Sequence, residues 1–213
     1  MLAVAGGKGG CGKTTTAVGL AAALARADER PLVVDCDCDM PALHHVTGTA
    51  REHGIDALAA GASPREVSQQ AAQAGVRVIT AGRRGNVGAA LTRLAAWPGP
   101  VLLDTPAGAT PDATRPLRHA DRTLLVTTTT PQCLDDTART ATTARELGAI
   151  IDGVVVRHRD DPADLTRFVC NDLELPVLAN VPTVDGDPLL DARTRDAFDS
   201  AAAGLSSTLA PSR

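Results

Sequence analysis

Short apolar runs recur along the chain, each ending where glycine or polar residues begin. They are Leu2–Ala5, Leu32–Asp35, Val76–Thr80, Val101–Asp104, Thr123–Thr128, Gly153–Val156 and Val177–Val181. β-Branched residues are prominent in most of these runs, which predicts strands buried on both faces and hence a parallel sheet. Between them lie longer, Ala-rich stretches suited to helices: Thr14–Ala27, Asn86–Ala96, Asp112–His119, Leu134–Leu147, Ala163–Asp172 and Pro188–Leu205. Strand then helix, repeated, predicts a doubly wound α/β fold with a mainly parallel sheet flanked by helices on both faces. In such folds ligands sit at the carboxyl ends of the strands. Neither a repeat nor a linker divides the 213 residues, so a single domain over 1–213 is expected, with 206–213 as a frayed tail.

Composition narrows this picture. Two Phe, one Trp and no Tyr leave Ala, Val, Leu and Ile to build the core. A net charge of −4 speaks against a broadly basic nucleic-acid face. Arg83-Arg84 and Arg115/Arg118 leave a local DNA-binding patch open, beside the ordinary reading of a solvated face. Of 21 basic residues only Lys8 and Lys13 are lysines, and both fall in one six-residue stretch. In a chain that otherwise uses Arg, two such survivors mark places where a compact ammonium is needed. Five cysteines without a CxxC pair point to free thiols in a reducing, cytoplasmic setting. The run after Met1 is too short for a signal segment, and no stretch has the length of a membrane span.

Residues 6–16 read Gly-Gly-Lys-Gly-Gly-Cys-Gly-Lys-Thr-Thr-Thr, with GxxxxGK[ST] running from Gly7 to Thr14. The motif follows a predicted strand and opens a predicted helix, the context in which it cradles phosphate. Gly7, Gly9, Gly10, Cys11 and Gly12 would turn backbone N–H groups inward around phosphate oxygens. The helix points its positive end at the anion. Lys13 would reach the β- and γ-phosphates, the Thr14 hydroxyl would ligate Mg²⁺, and Thr15 would contact the α-phosphate.

Two acidic strand ends follow. Asp35, Asp37 and Asp39 alternate with Cys36 and Cys38, so an extended chain would put three carboxylates on one face. Such a group needs a cation, a lysine or a proton beside it. Val101–Asp104 is an apolar strand ending in an acid, the arrangement that holds a Mg²⁺-bound water.

The loop KGGxGKTT, which opens with Lys8 at the second position of the phosphate-loop motif, resembles the MinD/ParA family of P-loop ATPases, the group with a deviant Walker A motif. The resemblance extends through Asp35-x-Asp37, DTPAG from Asp104 to Gly108, Ala120-Asp121, Thr130-Pro131-Gln132 and Val181-Pro182. It implies an ATP-dependent sandwich dimer in which Lys8 reaches the partner's nucleotide. It also implies a metal role for Asp35, water activation by Asp37, and a γ-phosphate sensor at Gly108. The base would lie near Arg157, which stands where the family carries Asn, and near Val181 and Pro182. Other departures are Ala42 for an Asn and Gln132 for a Glu. The activity implied is ATP hydrolysis with Mg²⁺ and ATP/ADP, stimulated by a protein partner, in positioning or partitioning of a cargo. Three alternatives stay open: a carrier ATPase of metallocofactor maturation, a regulatory scaffold that scarcely hydrolyses ATP, and a small-molecule ligase of related fold. Cys36 and Cys38 as metal ligands belong to the first of these, against small buried side chains as the plainer reading. The mixed charges of the last helical stretch predict no membrane anchor there.

Overall fold

A computed structural model of the chain describes residues 1–7, 9–52, 54–82, 87–108, 110–158, 169 and 173–209. Eight strands form one sheet: β1 (Leu2–Ala5), β2 (Leu32–Asp35), β3 (Gln69–Gln70), β4 (Arg77–Ile79), β5 (Val101–Asp104), β6 (Arg122–Thr128), β7 (Ile150–His158) and β8 (Val177–Pro182). Their order is β3-β4-β2-β5-β1-β6-β7-β8. All pairings are parallel except the edge pair of β3 with β4. Described helices are α1 (Lys13–Arg26), α2 (Leu43–Thr47), α3 (Gly54–Ala59), α4 (Pro64–Val67), α5 (Val87–Arg93), α6 (Pro111–His119), α7 (Pro131–Glu146) and α8 (Ala192–Leu209). A 3₁₀ turn, Leu94–Ala96, extends α5. The doubly wound fold expected from the apolar runs is the one observed.

The two-residue period of the strands divides the core. Val4, Val33, Leu102, Leu124, Val126 and Val155 face α1, α2 and α8. Ala3, Ala5, Leu125, Val154 and Val156 face α6 and α7. Leu32, Val34, Ile79 and Leu103 face α3 and α5. The same alternation sends Asp35, two residues after Val33, and Asp104, two after Leu102, toward the α1 side.

Helix α1 owes its form to five alanines and two leucines, concentrated over its second half, which outweigh the three threonines, Val18 and Gly19. Its Gly19 lets α8 come close: a side-chain methyl there would sit 2.2 Å from the Phe198 ring. Phe198 is the largest fully buried side chain among the described residues, and it fixes α1 from behind.

Differences from the expected elements have local causes. Strand β7 begins at Ile150 rather than Gly153 because Asp152 is neutralised in place by Arg122, whose Nε lies 2.6 and 2.8 Å from the two carboxylate oxygens. Helix α7 begins at Pro131, with Pro in the first turn, where a missing N–H costs nothing. Helix α8 begins at Ala192, four residues later than expected, because Asp191 accepts the N–H of Thr194 as a cap. α2, α3, α4 and β3 are too short to show a period, and none was expected. The helix expected over 163–172 lies outside the described residues apart from Val169, as does Asn86.

Phe198→Ala should lower the unfolding free energy by about 3–5 kcal/mol, the ordinary cost of emptying a fully buried aromatic site. The midpoint of urea denaturation measures this, and a loss below about 1 kcal/mol would show that α8 does not anchor α1.

Candidate functional site

The loop between β1 and α1 is shaped by contacts that only glycine permits. Gly10 and Gly12 have φ of +84° and +96°. A methyl on Gly12 would lie 2.2 Å from the Arg157 guanidinium, and one on Gly7 would lie 2.0 Å from Cβ of Asp136 on α7. Gly12 occupies the N-cap of α1 in the left-handed conformation and offers no side-chain cap. The first N–H groups of α1 therefore face an end of the helix suited to an anion. Thr16 N–H bonds back to the Gly12 carbonyl at 2.9 Å, so the helix is fully wound from its second turn.

Lys13 is buried at 8% exposure, and its charge acts on Asp104. Asp35 and Asp104 are register partners on adjacent strands and are 0% and 3% exposed. Asp35 accepts the N–H of Asp37 at 3.1 Å and of Leu43 at 3.2 Å. The Thr14 hydroxyl is hydrogen-bonded to Asp104, while Asp104 Oδ1 is buried without a hydrogen-bond partner. Burial first, and the charge of Asp35 next, push the Asp104 carboxyl up to about 7. Burial pushes Asp35 up to about 6, against the pull of the amides of Leu43 and Asp37.

Two buried carboxylates, one of them with an oxygen left without a hydrogen-bond partner, and the Thr14 hydroxyl form an oxygen donor set for a hard divalent cation, while the Lys13 ammonium beside them suits the phosphate that accompanies it. The residues present therefore fit Mg²⁺.

Beyond Asp35 the chain does not stay extended. It bends at Cys38–Met40, and the Asp37 carboxylate turns to accept the Met40 N–H at 2.9 Å. The expectation of three carboxylates on one face is thus corrected: Asp35 is buried, Asp37 half-buried and Asp39 exposed. The Asp35 side chain causes the bend by gathering amides from both Asp37 and Leu43. Gly108, at φ +81°, comes up against the loop, with its notional methyl 4.0 Å from the Gly7 carbonyl. Thr105 ties that segment down, its N–H and hydroxyl both reaching the Val4 carbonyl at 3.3 and 3.1 Å. Thr15 lies half-exposed on the first turn of α1.

Arg157, at the end of β7, lies across Gly12. It is half-buried, its Nε has no hydrogen-bond partner, and burial lowers the affinity of its guanidinium for the proton. Val181 pairs with it in register and is fully buried, while Pro182 is half-exposed beyond. Lys8, Arg83 and Arg84 lie outside the described residues, and Arg115 pairs with Asp112 at 3.5 Å. A cleft of about 490 Å³ opens beside the carboxylates, between Cys36–Met40 and Pro106–Ala107. Sequence reasoning missed the first two turns of α7, where Cys133 and Asp136 press on the loop. Its only signal was their position just after a strand adjacent to β1.

A carboxyl whose affinity for its proton is raised in the fold holds that proton where the unfolded chain would release it. Between about pH 4 and pH 7, stability of the nucleotide-free chain should therefore fall as pH rises, through Asp35 and Asp104. Asp104→Asn should shrink the gain in Tm from pH 8 to pH 5 seen in the parent. An unchanged gain would show that Asp104 is not held under strain.

The description "CobQ/CobB/MinD/ParA nucleotide binding domain" matches residues 2–195. An uncharacterized ATP-binding protein of Methanocaldococcus jannaschii is 28% identical over 194 residues, 85% of this chain and 73% of that one. The septum site-determining protein MinD of Pyrococcus horikoshii, complexed with Mg-ADP, is similar with a TM-score of 0.81 at 22% identity, over 96% of this chain and 94% of that chain. Cobyrinic acid a,c-diamide synthase of Mycobacterium smegmatis, with bound ATP analog and magnesium, has a TM-score of 0.79 at 21% identity, over 100% and 96%. At these identities the two structures speak to the fold alone, whereas the family match spans the loop, both acidic strand ends and the whole sheet. The chain belongs to the CobQ/CobB/MinD/ParA family of nucleotide-binding domains.

Proposed function

We propose that the chain is a magnesium-dependent ATPase that works as a nucleotide-controlled homodimer of the MinD/ParA type, in the positioning or partitioning of a cellular cargo. The observation that carries this is the convergence of Lys13, Thr14, Asp35 and Asp104 at the carboxyl ends of β1, β2 and β5. N–H groups of Gly9 to Thr15 surround the phosphates, and Lys13 meets the charge on the β- and γ-oxygens. Thr14 and Asp104 hold Mg²⁺ with Asp35 behind them, as the orphan oxygen of Asp104 suits. Magnesium neutralises charge on the phosphates when bound.

Asp37, half-buried at the mouth of the site and joined to Asp35 through its N–H, orients the attacking water. Gly108, against the Gly7 carbonyl, reads the presence of the γ-phosphate. Arg157, stretched over Gly12, lies on the nucleotide side of the sheet with Val181 and Pro182 and covers the base end. Lys8 crosses to the nucleotide of the second copy, and hydrolysis removes the group that it holds. A further protein stimulates turnover. The setting is the cytoplasm. Among the described residues no helix is long and apolar enough to cross a membrane.

A second reading has one observation in its favour. The cleft of about 490 Å³ beside Asp37 has room for a small acceptor in place of water. The chain would then transfer phosphate to that acceptor as a ligase and work without a partner copy.

Lys13→Ala should weaken MgATP binding by about 100-fold, the loss of a buried charge-assisted contact. Lys8→Ala should retain ATP binding but lose both the ATP-dependent dimer and turnover. Sizing by light scattering with ATP, ADP and neither decides. Equal dimerisation of Lys8→Ala and the parent in ATP contradicts the dimer switch, and a parent monomeric in all three states favours the ligase.

A further inference from the structure

The strand order puts two cysteines together that are 122 positions apart in the sequence. β1 lies beside β6, with Ala5 opposite Leu125, so the loop after β1 runs alongside the segment after β6. Cys11 sits in that loop, two residues before Lys13. Cys133 is the third residue of the 16-residue helix α7. Both side chains are 2% exposed, and their thiols are hydrogen-bonded to each other. A second contact, Gly7 against Asp136, holds the same two segments together. Cys36 differs: its thiol lies 3.8 Å from the Val34 carbonyl within its own strand end.

We propose that Cys11 and Cys133 are a redox modification site, forming a reversible disulfide that pulls the phosphate loop onto α7 and lowers its affinity for nucleotide. The regulatory half rests on the phosphate role of the loop proposed above.

The surroundings divide the labour between the two sulfurs. The Cys133 sulfur accepts from the Thr127 hydroxyl at 3.7 Å and is also hydrogen-bonded to Thr128, at the positive end of a long helix. The hydrogen bond from Cys11 and those from the threonines hold the Cys133 thiol down to about 5, whereas the same bond and burial push the Cys11 thiol up. Cys133 is accordingly the attacking thiolate and Cys11 the resolving thiol. The oxidant is hydrogen peroxide. The Cys133 thiolate attacks one peroxide oxygen, the O–O bond breaks, and hydroxide leaves with a sulfenic acid formed. Cys11 sulfur then attacks the sulfenyl sulfur, its proton joins the departing hydroxyl, and water leaves. The two sulfurs supply the two electrons that reduce the peroxide.

An S–S bond of about 2.05 Å is much shorter than a hydrogen-bonded thiol contact. Closing it draws Cys11 toward α7 and displaces the neighbouring Gly12 and Lys13. Bound phosphate holds the loop in place and slows the reaction.

The test treats the reduced full-length protein with hydrogen peroxide, blocks remaining thiols, maps cross-linked peptides by mass spectrometry, and measures MgADP affinity by calorimetry. The expected result is a loss of two hydrogens mapped to a Cys11–Cys133 link, slowed by MgADP, with affinity at least tenfold lower and restored by dithiothreitol. Cys133→Ala and the near-isosteric Cys133→Ser should both make MgADP binding insensitive to peroxide. No link under conditions that oxidise free glutathione overturns the proposal, and so does a link that leaves MgADP affinity unchanged. A link in a chain whose reduced form takes no MgADP refutes the phosphate role of the loop, and the regulatory half with it, leaving the modification site alone.

Discussion

Two buried carboxylates that cannot both be charged without help dominate this molecule. Asp35 and Asp104 end neighbouring parallel strands in register, and the two-residue period of the strands aims both toward the same face. Each is pushed toward holding its proton, and Asp104 keeps an oxygen with no hydrogen-bond partner. The compensation comes from the start of α1. Lys13 supplies charge and Thr14 a hydroxyl, and both are placed by the left-handed turn at Gly12. A buried acidic pair of this kind is costly to keep charged until a proton or a ligand discharges it. The strain at the strand ends and the bare helix terminus beside them are thus two halves of one binding device.

Mechanical support for that device comes from outside it. Phe198 packs into the space left by Gly19 and keeps α1 from sliding along the sheet. Thr105 fastens the segment leading to Gly108 onto β1, so that the segment touches the loop instead of floating above it. The Asp35 carboxylate does a second task by gathering the amides of Asp37 and Leu43. The bend that carries Asp37 is therefore tied to the same group that would sense a cation.

Most of the architecture was legible in the sequence because buried parallel strands are marked by short apolar runs and the helices between them by alanine. The glycine loop and its two acidic strand ends were legible because their spacing follows from chemistry that few other residues perform. Four elements escaped. α2, α3 and β3 are too short to carry a period, and α4 is announced only by the Ser63–Glu66 capping box, which went unread. The bend after Asp35 was missed because a side chain accepting distant amides leaves no trace in an alternating pattern. The approach of α7 to the loop was missed because it depends on strand order: only the pairing of β1 with β6 brings Asp136 to Gly7 and Cys133 to Cys11. The Arg157 guanidinium over Gly12 likewise comes from register, since its strand is two positions from β1 in the sheet.

That Asp35 and Asp104 are discharged by a magnesium-bound nucleotide is tested most directly by counting protons. Calorimetry of MgADP binding at pH 6, in two buffers of different ionisation enthalpy, compares the parent with Asp104→Asn. The expected result is net proton release by the parent that the variant lacks and that fades by pH 8, because the carboxyls give up their protons as the cation arrives. Equal proton release by the two chains, or binding of ADP that is indifferent to magnesium, would contradict it.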